Sequence, residues 1–572
     1  MKSLLIAAVA GVLFLSASAA LAADKEFEAA ANGYIDKLLE MNPELATTLG
    51  DHRYDGRLTD RSAQGIAAEL RVAREYLDKL AAIDPKTLSD VNAVDYSILK
   101  LNLERVVFED TELREFEWNP LYYNMGNAIY ALVARDFAPL DERLRSLKSR
   151  LEGIPAVVAA ARANLKNPPR VHTETAILQN QGNISMIRDD LSQFVAGSAV
   201  AAELAPAREA AAKALEEYGQ WLEKDLLPRS TRDPRIGDKL WREKLHYSLD
   251  SDLSKEEIYR RASEDLKQTQ QKMYETALPL FKQYFPEEKD PRKLADVKYV
   301  NKAVLDRLAA KRPDNDSIVP MAKERLADAI AFTRDHKLVS VPDEPVKVIV
   351  MPEFQRGVAV AYCESPGPFE PKGETFYSIS PTPADWSKER SESFFKEYND
   401  YMLYDLTVHE AVPGHYLQGA HSNRFKAPTM VRSVFSSGSF VEGWAVYAEK
   451  VMADAGFGGP EVRMQQLKMR LRVTINAIID QKIHTEGMTE EQAMAMMMND
   501  GYQEEGEAAG KWRRATLTST QLSTYFVGSA EVQDIRDSYA ATHKDVDLMK
   551  LHDTMLSFGS PSAKYVKRMM KL

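Results

Sequence analysis

The sequence predicts a large, mainly helical protein with a small antiparallel β-sheet in its C-terminal part. Two patterns indicate this fold class. Apolar residues recur at steps of three and four along most of the 572-residue chain, as they do on one face of a helix. Between residues 346 and 379, three short segments instead have the residue pattern of strands. Since 44% of the residues are hydrophobic, the chain can bury a sizeable core, and wholesale disorder is excluded.

The first 22 residues have the pattern of a secretory signal peptide. Lys2 precedes an apolar run over residues 4–15, and small residues follow up to Ala22. We expect cleavage near Ala22 and a location in the periplasm or outside the cell, with a retained N-terminal anchor as the alternative. No later segment approaches the ~18 uninterrupted apolar residues of a membrane span, so we expect no stable membrane insertion after cleavage.

Five long segments have the clearest helical periodicity: residues 63–82, 140–164, 199–227, 255–278 and 464–484. Ser254 and Thr489, each followed by two acidic residues within the next three positions, have the residue type that caps helix N-termini. Prolines at 168–169 and 228, and the Ser-Pro-Gly-Pro run at 365–368, are expected to interrupt the helices.

The predicted strands cover residues 346–350, 357–362 and 375–379, with turn residues between them. They lie among helices in the C-terminal part of the chain. We therefore divide the sequence into a signal peptide (1–22), a helical N-terminal region (23–340) and a C-terminal region with the small sheet and helices (341–572).

Charge and cysteine content exclude several classes of partner and site. With 74 Lys and Arg against 85 Asp and Glu, the formal charge is −11, so the chain lacks the basic character of a nucleic-acid-binding protein. Cys363 is the only cysteine, which excludes an internal disulfide and directs any metal site to His and Glu. A thiol nucleophile would need a histidine partner; we expect Cys363 to be a small buried residue instead.

The segment from 403 to 417 is the most informative about function, because it contains His409, Glu410 and His415. Zinc hydrolases often present two histidines one turn apart on a helix, with a glutamate after the first. Here the spacing is six residues, which on a regular helix places the rings about 240° apart. Pro413 removes a backbone donor and Gly414 permits unusual backbone angles, so we expect a widened turn that brings the rings together. The alternative is two ordinary helix histidines.

A catalytic zinc needs a third protein ligand and an open position. Glu442 and Glu449 are seven residues apart on a predicted helix, so they share a face. Glu442 lies among apolar neighbours, where an unpaired carboxylate is costly, and we favour it as the ligand. Glu449 is expected either to support a ligand from behind or to form a solvated salt bridge.

These motifs resemble the bacterial family catalogued as domain of unknown function 885, whose members are similar to zinc metallopeptidases of the gluzincin type. The matching segments are Tyr-Asp-Leu-Thr-Val at 404–408, His-Glu-x-x-Pro-Gly-His at 409–415 and Glu-Gly-Trp-Ala at 442–445, with further matches at 49–55, 480–484 and 551–553. The resemblance covers nearly all of the mature chain. It implies a gluzincin-like pair of zinc-binding helices, one Zn²⁺ ion held by His409, His415 and Glu442, and a peptide substrate.

The expected reaction is hydrolysis of peptide bonds in oligopeptides by a metal-activated water, with Glu410 as general base. The family's Ser-x-Tyr-x-x-Gly stretch places Tyr525 as a donor to the oxyanion, although Tyr525 could equally be a core aromatic; His484 and Arg514 are other candidates. The preceding residues 519–522 depart from the family's Pro-Gly-Gln-Ala. By the same resemblance, strand 358–362 would receive the substrate backbone.

Two other functions stay open on the sequence alone. A zinc hydrolase of non-peptide amides or esters could use the same residues, and a non-catalytic exported binding protein could retain a degenerate peptidase fold. The first would differ in substrate only. The second would hold no activity that a chelator abolishes. The sequence indicates neither the natural substrate nor the oligomeric state.

Overall fold

The computed structural model describes residues 2–351, 356, 360–370, 373–383 and 386–572, with side chains from residue 21 onward. Contacts within the chain divide these residues into two compact units. The first unit comprises residues 2–234, 367–370 and 426–435, and the second comprises the remainder. The helices between residues 237 and 335 therefore belong with the C-terminal residues in the second unit. The sequence-based division near residue 340 stays a prediction about where the catalytic region begins.

The first unit is built from helices. They are Lys2–Met41, Pro43–Leu49, Ala63–Ala81, Asp90–Phe108, Gly126–Ala134, Leu140–Asn164, Arg170–Ser185, Leu191–Val195, Ala201–Trp221 and Val431–Val434. Three π-helical turns extend or join them, at Glu109–Leu113, Met186–Asp190 and Leu222–Leu226. Short 3-10 turns lie at His52–Tyr54, Pro85–Thr87, Glu115–Glu117, Pro120–Tyr123 and Leu227–Arg229.

The second unit combines helices with a small sheet. Its helices are Gly237–Leu249, Lys255–Tyr284, Pro291–Leu294, Val297–Leu308, Ile318–Asp335, Lys388–Glu397, Asp400–Glu410, His415–Arg424, Gly438–Asp454, Gly459–Glu486, Glu490–Asn499, Glu505–Leu517, Ser523–Thr542, Leu548–Leu556 and Ala563–Met569. Its strands are β1 (Val346–Val350), β2 (Ala361–Glu364) and β3 (Thr375–Ile379). The predicted fold class, mainly α with a small sheet, is confirmed.

The predicted helices correspond closely to the observed ones. Residues 63–82 and 140–164 match to within one residue, and 255–278 and 464–484 extend by up to six residues. Segment 199–227 ends in a π-helical and a 3-10 turn around Pro228, since proline cannot continue the hydrogen-bond ladder. Ser254 caps its helix by accepting from the backbone N–H of Glu257, and Thr489 forms a capping box with Gln492.

The sheet is mixed, so the prediction of an antiparallel sheet is wrong for one of its two pairs. The strand order is β1-β3-β2; β2 pairs antiparallel with β3, whereas β1 pairs parallel with β3. The sequential strands β1 and β2 do not pair, and the chain crosses over between β1 and its partner. Residues 357–359, the first three of the predicted strand 357–362, lie outside the described residues. β2 begins at Ala361.

The largest core of the second unit packs the sheet against the helices that carry the candidate site. Tyr377 and Ile379 of β3 lie in the same buried cluster as Leu403, Trp444 and Leu551. Within the residues that the structure describes, no helix is both long enough and apolar enough to span a membrane. The predicted cleavage point near Ala22 lies within the helix Lys2–Met41 and stays a prediction.

Candidate metal centre

The first candidate ligand lies at the end of a short buried helix. This His409 helix, Asp400–Glu410, begins at Asn399, whose side chain accepts hydrogen bonds from the backbone N–H groups of Tyr401 and Met402. Its apolar residues, including Leu403 and Leu406, are buried in the core of the second unit. The helix therefore fixes the position of His409 from both its cap and its packing.

The second candidate ligand begins a new helix, so the expected widened turn within one helix is wrong in its form. The His409 helix ends at Glu410, and the His415 helix runs from His415 to Arg424. Between them the Val412–Pro413 peptide bond is cis, and the backbone N–H of Gly414 donates to the carbonyl of Val408 at 2.9 Å. Pro413 has no N–H to continue the helix, which explains why the helix breaks instead of widening.

Only glycine fits at position 414. A Cβ atom there would lie 1.9 Å from the carbonyl oxygen of His409 and 2.3 Å from that of Val408. The chain therefore folds back tightly on the end of the His409 helix, and this return brings the rings of His409 and His415 to a centroid separation of 4.7 Å. The Pro-Gly pair thus has the structural consequence expected of it, through a turn between two helices.

Glu442 comes from a third helix, Gly438–Asp454, which we call the Glu442 helix. Its Oε2 atom lies 3.4 Å from Nε2 of His409 and 3.4 Å from Nε2 of His415, and the two rings are nearly perpendicular at 86°. The ligand atoms of the three side chains all lie within 4.8 Å of one another. The structure therefore brings together the three residues that the sequence proposes as metal ligands.

The geometry of this triad fits a zinc ion. Ligand atoms about 2.0–2.1 Å from a tetrahedral Zn²⁺ are about 3.3 Å apart, close to the two observed separations of 3.4 Å. The same separations are long for hydrogen bonds between nitrogen and oxygen. Among the described residues, Oε2 of Glu442 and Nδ1 of His415 are buried without a hydrogen-bond partner. A buried carboxylate oxygen with two imidazole nitrogens around it is a donor set suited to zinc.

Glu449 supports His409 from behind. Its Oε1 lies 2.6 Å from Nδ1 of His409, and its side chain is only 1% exposed. This bond assigns a proton to Nδ1 and leaves Nε2, on the side of Glu442, as the nitrogen available to a metal, which is the usual orientation of a metal-ligating histidine. Of the two roles predicted for Glu449, the structure favours support of a ligand over a solvated salt bridge.

The electrostatics of the centre follow from this crowding. Burial lowers the pKa of His409, but contacts with Glu442 and Glu449 outweigh it and raise the pKa well above its usual value. Burial opposes ionisation of Glu442, yet the two histidines hold its pKa well below the usual range. Burial, and then the charge of Glu449, raises the pKa of Asp405 well above that of an ordinary aspartate. The charged form of Asp405 is therefore disfavoured beside the centre.

Trp444 ties the third ligand's helix to the turn before His415. Its indole Nε1–H donates to the carbonyl of Pro413 at 2.8 Å, and the side chain is buried. A buried indole N–H needs such a partner, so the Glu442 helix and the turn hold each other in register. In the sequence, Trp444 is recognised only as part of the Glu-Gly-Trp-Ala motif, and no role was predicted for it. A buried tryptophan needs a hydrogen-bond acceptor, and this need is the signal that could have indicated its role.

Gly443, next to Glu442, marks a close crossing with the helix Ser523–Thr542, which we call the Tyr525 helix. A Cβ at Gly443 would lie 2.2 Å from the backbone of Gly528, and one at Gly528 would lie 1.8 Å from the carbonyl oxygen of Ser439. The two glycines allow backbone contact that side chains would prevent. The glycine of the Ser-x-Tyr-x-x-Gly stretch therefore has a packing role that the sequence analysis missed.

The two predicted catalytic residues lie on the His409 helix and the Tyr525 helix. Glu410 follows His409 directly, ends its helix and is only 9% exposed. Tyr525 lies one turn before the Gly528 crossing, and its hydroxyl accepts hydrogen bonds from Arg514 at 3.1 Å and Gln521 at 3.3 Å. Because both bonds are received, the hydroxyl proton of Tyr525 is left to be donated.

The other residues weighed for the site have structural partners. His484 Nε2 lies 3.0 and 2.9 Å from the carbonyl oxygens of Ala515 and Thr518, so its imidazole is committed to the backbone. Asp480 accepts from the backbone N–H groups of Thr520 and Ser523. Both residues therefore anchor the segment before the Tyr525 helix. They are not close partners of the metal ligands.

His552 strengthens the Glu442 helix from its far side. Its Nε2 lies 2.9 Å from the hydroxyl of Tyr447, and its Nδ1 lies 2.7 Å from the carbonyl of Leu338. Burial lowers the pKa of His552 to about 4, so it is neutral at physiological pH. The sequence analysis noted this residue only as part of a matching segment.

Comparisons with known proteins place these features in a family context. A family model described as a bacterial protein of unknown function, DUF885, matches residues 43–570. No curated protein matches the chain. Among solved structures, the chain is similar to a candidate lipoprotein of unknown function from Shewanella oneidensis, with 35% identity and a TM-score of 0.81 over 96% of this chain and 100% of that one.

A second solved structure shares the fold at lower identity. It is a candidate lipoprotein from Colwellia psychrerythraea, with 16% identity and a TM-score of 0.77 over 97% of this chain and 98% of that one. At this identity the similarity concerns the fold alone.

Proposed function

The chain belongs to the bacterial DUF885 family, and we propose that it is an exported, zinc-dependent peptidase that acts on oligopeptides. One observation carries the proposal: His409, His415 and Glu442 converge from three helices with separations that match the ligands of a tetrahedral zinc ion. Three protein ligands leave a fourth position open, which is typical of catalytic and not of structural zinc sites. Export is supported by the signal-like N-terminus and by the description of the 35% identical protein from Shewanella oneidensis as a candidate lipoprotein.

The surrounding residues would prepare this centre for hydrolysis. Zn²⁺, when bound, supplies a Lewis acid that polarises a carbonyl and lowers the pKa of a water molecule toward neutrality. Glu449 holds His409 in the tautomer that presents Nε2, and Trp444 holds the turn that positions His415. These contacts pre-organise the ligands before any substrate arrives.

Glu410 and Tyr525 would carry the proton and charge changes of the reaction. Glu410 directly follows His409 and ends the same helix, and its carboxylate would take a proton from the attacking water and pass it to the leaving amine. Tyr525, whose hydroxyl already accepts from Arg514 and Gln521, would donate its own proton in a hydrogen bond to the developing oxyanion.

The sheet supports a peptide substrate over other amides and esters. β2 is an edge strand, since it pairs only with β3 in the order β1-β3-β2, and it packs near both the His409 and the His415 helices. An edge strand beside the centre can bind an extended peptide backbone by strand addition, an interaction that an ester without a peptide backbone would not make. By the family resemblance, β2 would be the strand that receives substrate.

Metal content and hydrolysis measured on the same samples test the proposal. The purified chain should retain zinc and cleave members of a mixed peptide library, and a chelator should abolish cleavage. Glu410→Gln should keep zinc but lose at least about 100-fold in kcat/KM, because the base is removed while the ligands stay. His409→Ala should lose both zinc and activity. Glu491→Gln, an exposed carboxylate at the start of a different helix, is the matched control and should change neither.

Two results would contradict the proposal. Undiminished hydrolysis by the zinc-free chain would exclude the metal centre as the site of reaction. Hydrolysis of matched esters or simple amides, with no cleavage in the peptide library, would assign the centre to non-peptide substrates instead.

A further inference from the structure

A second group of ionisable side chains meets in the interior of the same unit. Three helices contribute: the helix Lys388–Glu397, the helix Gly459–Glu486, which we call the buried helix, and the helix Glu505–Leu517, which we call the Lys511 helix. The members, which we call the cationic cluster, are Glu397, Lys468, Arg472, Glu507, Lys511 and Arg514. Apart from Arg514, which hydrogen-bonds Tyr525, none of them is used by the proposed reaction at the metal.

The cluster contains more positive than negative charge. Lys468 Nζ lies 2.7 Å from Glu397, and Arg472 contacts both Glu507 and, at 3.9 Å, Glu397. These two carboxylates are matched by two cations. Lys511 lies 3.9 Å from Glu507, a carboxylate that Arg472 already contacts. Four cations therefore surround two carboxylates.

Arg514 is the other cation without a carboxylate of its own. Within the part of the chain that the structure describes, its guanidinium has no carboxylate within 4.0 Å, and it donates a hydrogen bond to the Tyr525 hydroxyl. Two positive charges are thus left without a carboxylate partner of their own.

Burial makes this excess unfavourable as it stands. Lys511 and Arg472 are each 8% exposed, and a buried charge is stable only when it is paired and hydrogen-bonded. Burial, followed by the charges of Arg472 and Arg514, holds the pKa of Lys511 well below the usual value for lysine. An anion brought to this position would favour the charged form of Lys511 and balance the excess positive charge of the cluster.

Unpartnered buried amides lie close in sequence to members of the cluster. Gln465 is on the buried helix three residues before Lys468, and Gln503 directly precedes the residue whose backbone N–H donates to Glu397. Gln465 and Gln503 are 1% and 4% exposed. Among the described residues, neither side-chain amide has a hydrogen-bond partner, for its nitrogen or for its oxygen. Buried amides without partners are rare, and they point to a ligand that is polar.

We propose that the cationic cluster is a subsite that binds a carboxylate group of the substrate through Lys511 and Arg514. This proposal rests on the proposed peptidase function, because a peptide always carries a C-terminal carboxylate and often carries acidic side chains. The planar guanidinium and the ammonium group are the donors that carboxylates prefer. The substrate would therefore be bound by its anionic part in the cluster and by the scissile bond at the metal.

Contacts connect this subsite to the metal centre. Arg514 hydrogen-bonds Tyr525, and one turn later the Tyr525 helix meets the Glu442 helix at Gly528 and Gly443. A carboxylate held by Arg514 would lie on the Tyr525 side of the centre, where the oxyanion donor is expected. Binding of the anionic group and placement of the scissile carbonyl would then depend on neighbouring residues.

Hydrolysis of matched peptides tests the proposal. A peptide cleaved by the wild-type chain is made as the free acid, as the C-terminal amide, and as the amide with a glutamate near the cleaved bond. Wild type should favour one carboxylate-bearing form over the plain amide by about 10- to 100-fold in kcat/KM, as expected for one charged hydrogen-bonded contact. Preference for the free acid identifies the chain terminus as the ligand, and preference for the glutamate peptide identifies an acidic side chain.

Lys511→Met should remove that preference while leaving kcat/KM for the plain amide within about threefold, because methionine retains the bulk of the side chain without its charge. Arg513→Gln, an exposed neighbour on the same helix, is the matched control and should keep the preference. Arg514→Gln provides a second variant if Lys511→Met does not fold. Equal cleavage of all three peptides, or a preference that survives both variants, would overturn the proposal and leave the peptidase function standing.

A binding measurement separates the two proposals when no peptide is cleaved. Calorimetric titration of the zinc-loaded chain uses N-acetylglycine as probe and N-acetylglycinamide as its uncharged control. Binding of N-acetylglycine that weakens at least about tenfold in Lys511→Met supports the subsite even without peptide hydrolysis. Binding that is absent, or equal in wild type and Lys511→Met, contradicts it.

Discussion

The carboxylate behind His409 offers a graded test of how this centre is built. Glu449 accepts a hydrogen bond from His409 Nδ1 at 2.6 Å in a position that is 1% exposed. Glu449→Gln keeps an oxygen that can accept this bond but removes the charge. Charge-assisted hydrogen bonds contribute about 1.5–3 kcal/mol and neutral ones about 0.5–1.5 kcal/mol, so the expected loss is about 1–1.5 kcal/mol, or about tenfold in zinc affinity.

Glu449→Ala should cost more, because it removes the acceptor and leaves the buried N–H of His409 without a partner. Losses for such supporting residues are about 10- to 100-fold in metal affinity, and the alanine variant should lie at the upper end. Burial raises the pKa of Glu449, so its charge is a cost to folding, and the glutamine variant should melt no lower than wild type. Zinc affinity and thermal stability should therefore change independently.

Competition titration with a chromophoric zinc chelator measures the affinities, and Asp454→Asn is the matched control. Asp454 lies on the same helix but pairs with Lys450 at the surface, so its loss should leave zinc affinity unchanged. Equal zinc affinity in wild type, Glu449→Gln and Glu449→Ala would refute the reasoning, because it would show that the 2.6 Å contact does not orient the ligand.

Three further predictions concern the surroundings of the centre. Asp405→Asn should change zinc affinity by less than about threefold in the same titration, because burial and Glu449 raise the pKa of this carboxyl, and the amide resembles the uncharged form that they favour. Gly528→Ala should lower thermal stability by about 1–3 kcal/mol or more, because its Cβ would lie 1.8 Å from the carbonyl oxygen of Ser439; Gly182→Ala, which has open space, should not destabilise. Burial raises the pKa of Glu531 to about 7, so between its ordinary pKa of 4.5 and 7 the folded chain keeps a proton that the unfolded chain has lost, and stability falls as the pH rises through this range. Glu531→Gln should therefore raise the melting temperature at pH 8 but not at pH 4, and an equal shift at both pH values would contradict the assignment.

Local patterns explain why the helices could be predicted so closely. Periodicity and caps are properties of adjacent residues, and both Ser254 and Thr489 cap the helices that follow them. Strand pairing depends on residues far apart in the chain. The alternation at residues 346–350 predicts a strand. It does not show that β1 pairs parallel with β3, a strand that follows β2 in the sequence.

The candidate ligands could be predicted for the same reason, and their support could not. The types and spacing of His409, Glu410 and His415 are local, and so is the Pro-Gly pair between the histidines. Glu449 and His409 are 40 residues apart in the sequence, and the sequence alone leaves two roles open for Glu449. The cationic cluster is still harder to predict from the sequence, because residue 397 contacts residues 468 and 472 only after folding. Charged residues on separate helices look like ordinary surface residues until their burial is known.

The bond from Trp444 to Pro413 affects the order in which this protein can mature. Together with the contact from Glu449 to His409, it holds the metal ligands through protein groups alone. Packing of the core therefore offsets the conformational entropy that is lost when the candidate ligands are brought together. In small zinc domains, by contrast, folding requires the ion. Under the proposed function, the chain would fold first in its destination compartment and acquire zinc afterwards, so the free zinc of that compartment would set the fraction of active protein without setting the fraction folded.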